Sequence, residues 1–118
     1  MQPKNFKDMI FAELTASNDY MKKAIDSMKS YPKWSSIFKT MSDDRFYHAE
    51  ILYKMFIEVY INTKDQDNYL NSLRDAIVEE FSNKTRLIDS FRATYDLING
   101  SSEPLVEEEK ENERNNTN

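Results

Sequence analysis

A single glycine, Gly100, serves the whole of this 118-residue chain, and its three prolines stand at positions 3, 32 and 104. Sheet proteins use glycine at turns and bulges, so a chain with almost none is pressed towards helix. The prolines then act as punctuation. Pro3 suits a first helical turn, where its missing N–H has no partner to lose. Pro32 pushes Tyr31 out of the α region and marks a break after Ser30. The length allows one domain with one modest core. The expected fold is all-α: an antiparallel bundle of three long helices over residues 1–100, followed by a disordered acidic tail over 101–118.

Apolar residues recurring three and four apart place the helices. Helix 1 is expected from Pro3 to about Lys29, with Phe6, Ile10, Glu13, Ser17, Tyr20, Ala24 and Met28 along its stripe. Helix 2 is expected from Pro32 to about Ile61. Its inward face reads Trp34, Ile37, Phe38 and Met41, then Asp44 or Arg45, then His48, Ile51, Leu52, Met55, Phe56 and Val59. Asp65 or Asp67 offers an N-cap for helix 3, which runs from about Asn68 to Asn99. Its stripe is Leu70, Leu73, Ile77, Glu80, Lys84, Leu87, Phe91 and Ile98, with Phe81, Ile88 and Tyr95 alongside. Gly100 is expected to close it in the left-handed conformation.

Charge removes some functions. The net charge is −5, but residues 101–118 hold six Glu against Lys110 and Arg114, which leaves residues 1–100 at about −1. With no basic face, nucleic-acid binding lacks its main electrostatic support. The chain has no cysteine, so disulfides and thiolate metal sites are excluded. Met1-Gln2-Pro3-Lys4-Asn5 lacks a signal-peptide pattern, and no apolar run approaches the ~20 residues of a membrane span. A soluble chain is expected, without a membrane partner, in the cytoplasm or in a particle assembled there. The tail's only sizeable apolar residues, Leu105 and Val106, are too few to offset its ordering entropy. Abundant Asn, Lys, Asp, Tyr and Ile suggest an AT-rich genome.

All three stripes carry a polar interruption near mid-helix: Glu13, then Asp44, Arg45 and His48, then Glu80 and Lys84. Helices of this length span roughly 40–48 Å at 1.5 Å per residue, so antiparallel packing brings these six residues to one or two common levels. Inward carboxylates on several helices are the arrangement of di-iron bundles. The run Ala12-Glu13-Leu14-Thr15-Ala16, with Asp44-Arg45-Phe46-Tyr47-His48-Ala49-Glu50, resembles the ferritin-like family of bacterioferritin and rubrerythrin type. More loosely, so does Leu73 to Glu80. The resemblance implies a ligand Glu at Glu13, a ligand histidine at His48 and a helix 3 carboxylate at Glu79 or Glu80, around iron or manganese.

The departures from that pattern point elsewhere. Arg45 stands where the bridging Glu belongs, His48 is the only histidine, and no fourth helix is expected after Gly100. The layer therefore reads as a metal-free ion-pair network, with no cofactor. The alternative is a metal site of Glu13, Asp44, His48 and Glu80 completed at a dimer interface. Ser35, Ser36, Ser42 and Ser90 form no nucleophile motif, and one glycine cannot build a phosphate loop.

Tyr53, Ile57, Tyr60 and Ile61 fall off the main seam of helix 2. They make a second strip for another helix, from a protein partner or a homo-oligomer. The function expected is non-enzymatic: a small structural or interaction protein working through helix packing, in the setting of a bacteriophage or a low-GC bacterium. A ferritin-like protein of iron oxidation or storage is the alternative. An adaptor that inhibits a host protein through its acidic tail is a third class.

Overall fold

A computed structural model describes residues 2–101, and these fold into three α-helices with no strand among them. α1 spans Pro3–Ser27, α2 spans Pro32–Asn62 and α3 spans Asn68–Ser101. Both early prolines sit in the first turn of their helices, where a lost N–H costs nothing. Asp67 caps α3, its Oδ1 accepting from the Leu70 N–H at 2.8 Å, as an N-cap side chain does three residues ahead. The expected stop at Gly100 is not what the helix does. α3 continues through it to Ser101 without a positive φ, since a glycine in a last turn weakens a helix without ending it. The expected acidic tail, with Leu105 and Val106, lies outside the described residues.

Contacts between α1 and α2 run in reverse order along the two helices. Phe6 meets Phe56 edge-on at 6.1 Å, Ser17 meets Ser42 and Ser35 reaches the Ala24 carbonyl. This seam is built on small residues seven apart: Ser35, Ser42 and Ala49 on α2, Ser17 and Ala24 on α1, every one of them buried. Small side chains let two backbones approach closely. The Ser17 hydroxyl donates to the Ser42 carbonyl at 2.8 Å, and the Ser42 hydroxyl donates to the Ser17 carbonyl at 2.7 Å. Each hydroxyl has one proton, so with both carbonyls satisfied the 3.1 Å approach of the two oxygens is a contact only.

The larger core cluster joins Phe6, Ile10, Leu14, Phe46, Phe56, Leu73, Ile77 and Ile88. Met21, Ala24 and Tyr95 make a smaller one towards the other end. Each fully buried aliphatic or aromatic side chain contributes roughly 1.5–3 kcal/mol. α3 meets α2 through long side chains. Phe81 lies against Phe46 at 5.8 Å and stacks on Tyr53 at 4.6 Å, and the Tyr60 hydroxyl donates to Asn71 Oδ1 at 2.6 Å.

The expected inward face of α2 turns out rotated, and that of α3 holds at Leu70, Leu73 and Ile77 but not at Leu87 and Ile98. On α2, Trp34, Ile37, Ile51 and Met55 are exposed, and the buried row is Ser35, Ser42, Phe46, Ala49 and Phe56. One residue along a helix is a turn of about 100°, so the two readings differ by roughly a quarter of the circumference. The close seam selected small residues, which carry no hydrophobic signal. On α3 the inward row beyond Ile77 passes through Phe81, Ile88 and Tyr95, and Leu87 and Ile98 are exposed.

Candidate functional site

The α1–α2 register brings Glu13 beside Arg45 and His48, which share one side of α2 by their three-residue spacing. Arg45 Nη1 donates to Glu13 Oε1 at 3.3 Å, and His48 Nδ1 lies 3.5 Å from the same oxygen. One carboxylate oxygen thus serves a guanidinium and an imidazole. The cluster lies at the edge of the seam. Glu13 is the most buried of the three, with 21 % of its side chain exposed, against 42 % for Arg45 and 53 % for His48.

The rest of the expected polar layer does not join it. Asp44 is exposed, and Glu80 and Lys84 are half-buried on α3. None of these three makes an ion pair or hydrogen bond among the described residues. The expectation of six polar residues on common interior levels is therefore corrected to three residues on one flank. The cause is the rotation of α2, which carries Asp44 and His48 away from the core. Among the described residues, no group of three or more histidine or carboxylate side chains is placed to hold a metal ion.

A second polar cluster, which sequence reasoning missed, ties α2 to α3. Arg92 Nη2 is 3.0 Å from Asp43 Oδ1 and Nη1 is 3.5 Å from Asp89 Oδ1. Its guanidinium carbon lies 5.1 Å from the centre of the Phe46 ring, a cation–π contact. Lys39 completes the group at 3.1 Å from Asp43. A reading of α3 on the seven-residue spacing Phe81, Ile88, Tyr95 puts Arg92 in the seam, three residues before Tyr95, and would have marked it. Arg92 Nε is buried without a partner, as are Thr85 Oγ1 and Asn18 Oδ1.

Comparison of the chain with protein-family models, with curated proteins and with solved structures gives no match. The functional reading accordingly rests on the chain's own residues. Chemically, the Glu13 cluster is a solvated ion-pair group, of the kind that contributes up to about 1 kcal/mol. Arg45 sets a fixed positive charge against the carboxylate that a bound cation would need.

The expected interface strip divides. Tyr53 and Tyr60 turn inward onto Phe81 and Asn71, Ile57 packs partly against the core, and Ile61 is exposed. Inward-turned Tyr53 and Tyr60 are a correction with the same cause, the rotation of α2. The surface that faces outward is the row first assigned to the core: Trp34, Ile37, Ile51 and Met55. Beside it, Ile51, Met55, Ile57 and Ile61 with Lys54 and Glu58 line an open groove of about 510 Å³. A second groove of similar volume, between the α1–α2 turn and the end of α3, is lined by Met28, Pro32, Tyr95 and Ile98 with Lys29. Among the described residues no helix is long and apolar enough to cross a membrane.

Proposed function

We propose that this protein is a non-enzymatic helical interaction or structural protein that works by packing the outer face of α2 against another protein chain. The observation that carries the reading is the apolar row on that face. Trp34 is 54 %, Ile37 57 %, Ile51 39 % and Met55 43 % exposed, on one side of one helix. They form two apolar patches, Trp34 with Ile37 and Ile51 with Met55, on either side of exposed Asp44 and His48, and exposed apolar patches rimmed by polar residues mark interaction sites. The fold in this proposal is an antiparallel three-helix bundle of ferritin-like type. In it Arg45, standing at the bridging-ligand position, has converted a metal centre into the ion-pair group with Glu13. A bacteriophage structural or accessory protein, virion-associated or cytoplasmic, is the setting that suits a small, glycine-poor, AT-biased chain.

The test is a photo-reactive phenylalanine analogue at position 51, with the same analogue at the exposed position Lys23 as control. The expected result is a defined covalent adduct with a protein from position 51 alone. Equal, diffuse labelling from both positions would overturn the reading.

The closeness of Glu13 and His48, a carboxylate and an imidazole within 3.5 Å, is the one observation behind the alternative, a metal site of Glu13, Asp44, His48 and Glu80 completed at a dimer interface, since among the described residues of one chain no such group of three comes together. Stoichiometric iron or manganese in protein purified without chelator, lost on Glu13→Ala, would establish that alternative in its place.

A further inference from the structure

We propose that the partner on the outer face of α2 is a second copy of this chain, bound through a two-fold axis level with Phe46, with the two α2 helices running in opposite directions. The inference rests on the reading of this face as an interaction surface and names its occupant.

The outward row is Trp34, Ile37, Met41, Asp44, His48, Ile51, Met55 and Glu58, all exposed except Met41, which is half-buried. Its steps alternate three and four residues without a break, which is the seam spacing of two helices packed side by side. In an opposed pair related by a two-fold axis, residues equidistant from the axis face each other. With the axis at Phe46, Ile37 faces Met55, Met41 faces Ile51, and Asp44 faces His48, each pair occurring twice. Apolar residues meet apolar residues, and the one acidic and one imidazole side chain in the middle of the seam meet one another.

Neighbouring registers lack this matching. Sliding one helix by a heptad in one direction sets Met41 against Asp44 and Ile37 against His48. A parallel pair sets Asp44 against Asp44 and His48 against His48, and polar residues at such positions are what select register and orientation. His48 Nδ1 is directed to Glu13 within its own copy, which leaves Nε2 as the ring nitrogen for Asp44 of the other. Among the described residues, the Asp44 side chain makes no hydrogen bond or ion pair inside its own copy that would compete.

The ends of the seam also fit. Trp34 stacks on Tyr31 at 4.2 Å with the rings 10° from parallel, and both are exposed. Trp34 falls opposite Glu58, so this aromatic plate comes to the groove lined by Ile51, Met55, Ile57 and Ile61. Tryptophan packed into an apolar groove is among the side chains that carry most of the binding energy where interfaces form. From Trp34 to Glu58 the seam is about 36 Å long and one helix, about 10 Å, wide. That is the small end of specific interfaces, which bury about 800 Å² per partner, so association is expected to depend on concentration.

Sedimentation equilibrium of the full chain over roughly three decades of concentration is expected to show a monomer–dimer equilibrium. Asp44→Lys opposes a lysine to His48, and His48→Glu opposes a glutamate to Asp44, so each variant alone is expected to dimerise at least tenfold more weakly. Mixed, the two variants form a heterodimer in which both central pairs are again complementary, and affinity returns. All the altered side chains are exposed, so circular dichroism should match the wild type.

The register is read separately. The chain has no cysteine, so a mixture of Met41→Cys and Ile51→Cys chains should give a disulfide heterodimer under mild oxidation, and each alone should not. A wild-type chain that stays monomeric throughout overturns the proposal. So does a dimer in which mixing the charge variants restores nothing. A monomer that still forms a defined adduct from position 51 with a different protein overturns the second copy alone. A monomer with no such adduct overturns the interaction surface as well.

Discussion

On its α1 side, α2 presents Ser35, Ser42 and Ala49; on its α3 side it presents Phe46, Tyr53 and Tyr60. The first seam is close. Hydroxyls reach the opposing helix's carbonyls at 2.7 and 2.8 Å, so only small side chains separate the two backbones there. The second is spaced by rings, with Phe81 against Phe46 and Tyr53 and Arg92 reaching over Phe46 to Asp43. A close seam tolerates almost no added volume and fixes register by backbone-directed hydrogen bonds. A seam spaced by rings can be repacked. The two sides of one helix should therefore answer very differently to changes of similar chemical size.

The sharpest way to break the contrast is bulk at the centre of the close seam. Ser42→Leu removes the donor to the Ser17 carbonyl and forces a branched side chain into a seam filled by two serine side chains. Overpacking and the lost hydrogen bond together are expected to cost about 3 kcal/mol or more, seen as a lowered urea midpoint. An unchanged midpoint would mean that the two helices part easily and that the seam is not what holds them.

Next in size is the loss of one hydroxyl. Ser17→Ala removes the donor to the Ser42 carbonyl and is expected to cost about 1–2 kcal/mol. Because the two serines exchange bonds, the double variant Ser17→Ala with Ser42→Ala should cost less than the sum of the single changes. Strict additivity would show that the bonds are independent. On the aromatic side, Phe81→Leu keeps an apolar side chain at a half-buried position and is expected to cost under about 1.5 kcal/mol. A loss equal to that of Ser42→Leu would erase the distinction between the seams.

This difference also explains what could be read from the residues alone. Helix limits were legible because local chemistry sets them: Pro3 and Pro32 open their helices, and Asp67 caps the third. The inward face of α2 was not. Apolar bulk at Trp34, Ile37, Ile51 and Met55 outweighed Ser35, Ser42 and Ala49 in any hydrophobic count, yet close approach of two backbones favours the smaller set. At the candidate site, Glu13, Arg45 and His48 were legible as a group because α1 and α2 pair them in register. Asp44 was placed with them only by the wrong rotation of α2, while Glu80 and Lys84, half-buried on α3, make no ion pair among the described residues. The Arg92–Asp43 pair depends on which side of α3 meets α2, and a single stripe does not reveal that.

The smallest expected effect concerns the Glu13 cluster, which borders the close seam without belonging to it. In a double-mutant cycle, Glu13→Gln and Arg45→Met should give a coupling of no more than about 1 kcal/mol, because both side chains remain partly solvated. Coulomb attraction between them is screened once the Debye length shortens to about 3 Å at 1 M salt, so the coupling should fall towards zero there. The Ser17–Ser42 coupling, made by neutral groups away from water, should be unmoved by the same salt. A Glu13–Arg45 coupling that survives high salt at two or three times this size would place the pair in the interior, and the contrast between a polar edge and a hydrogen-bonded centre would fail.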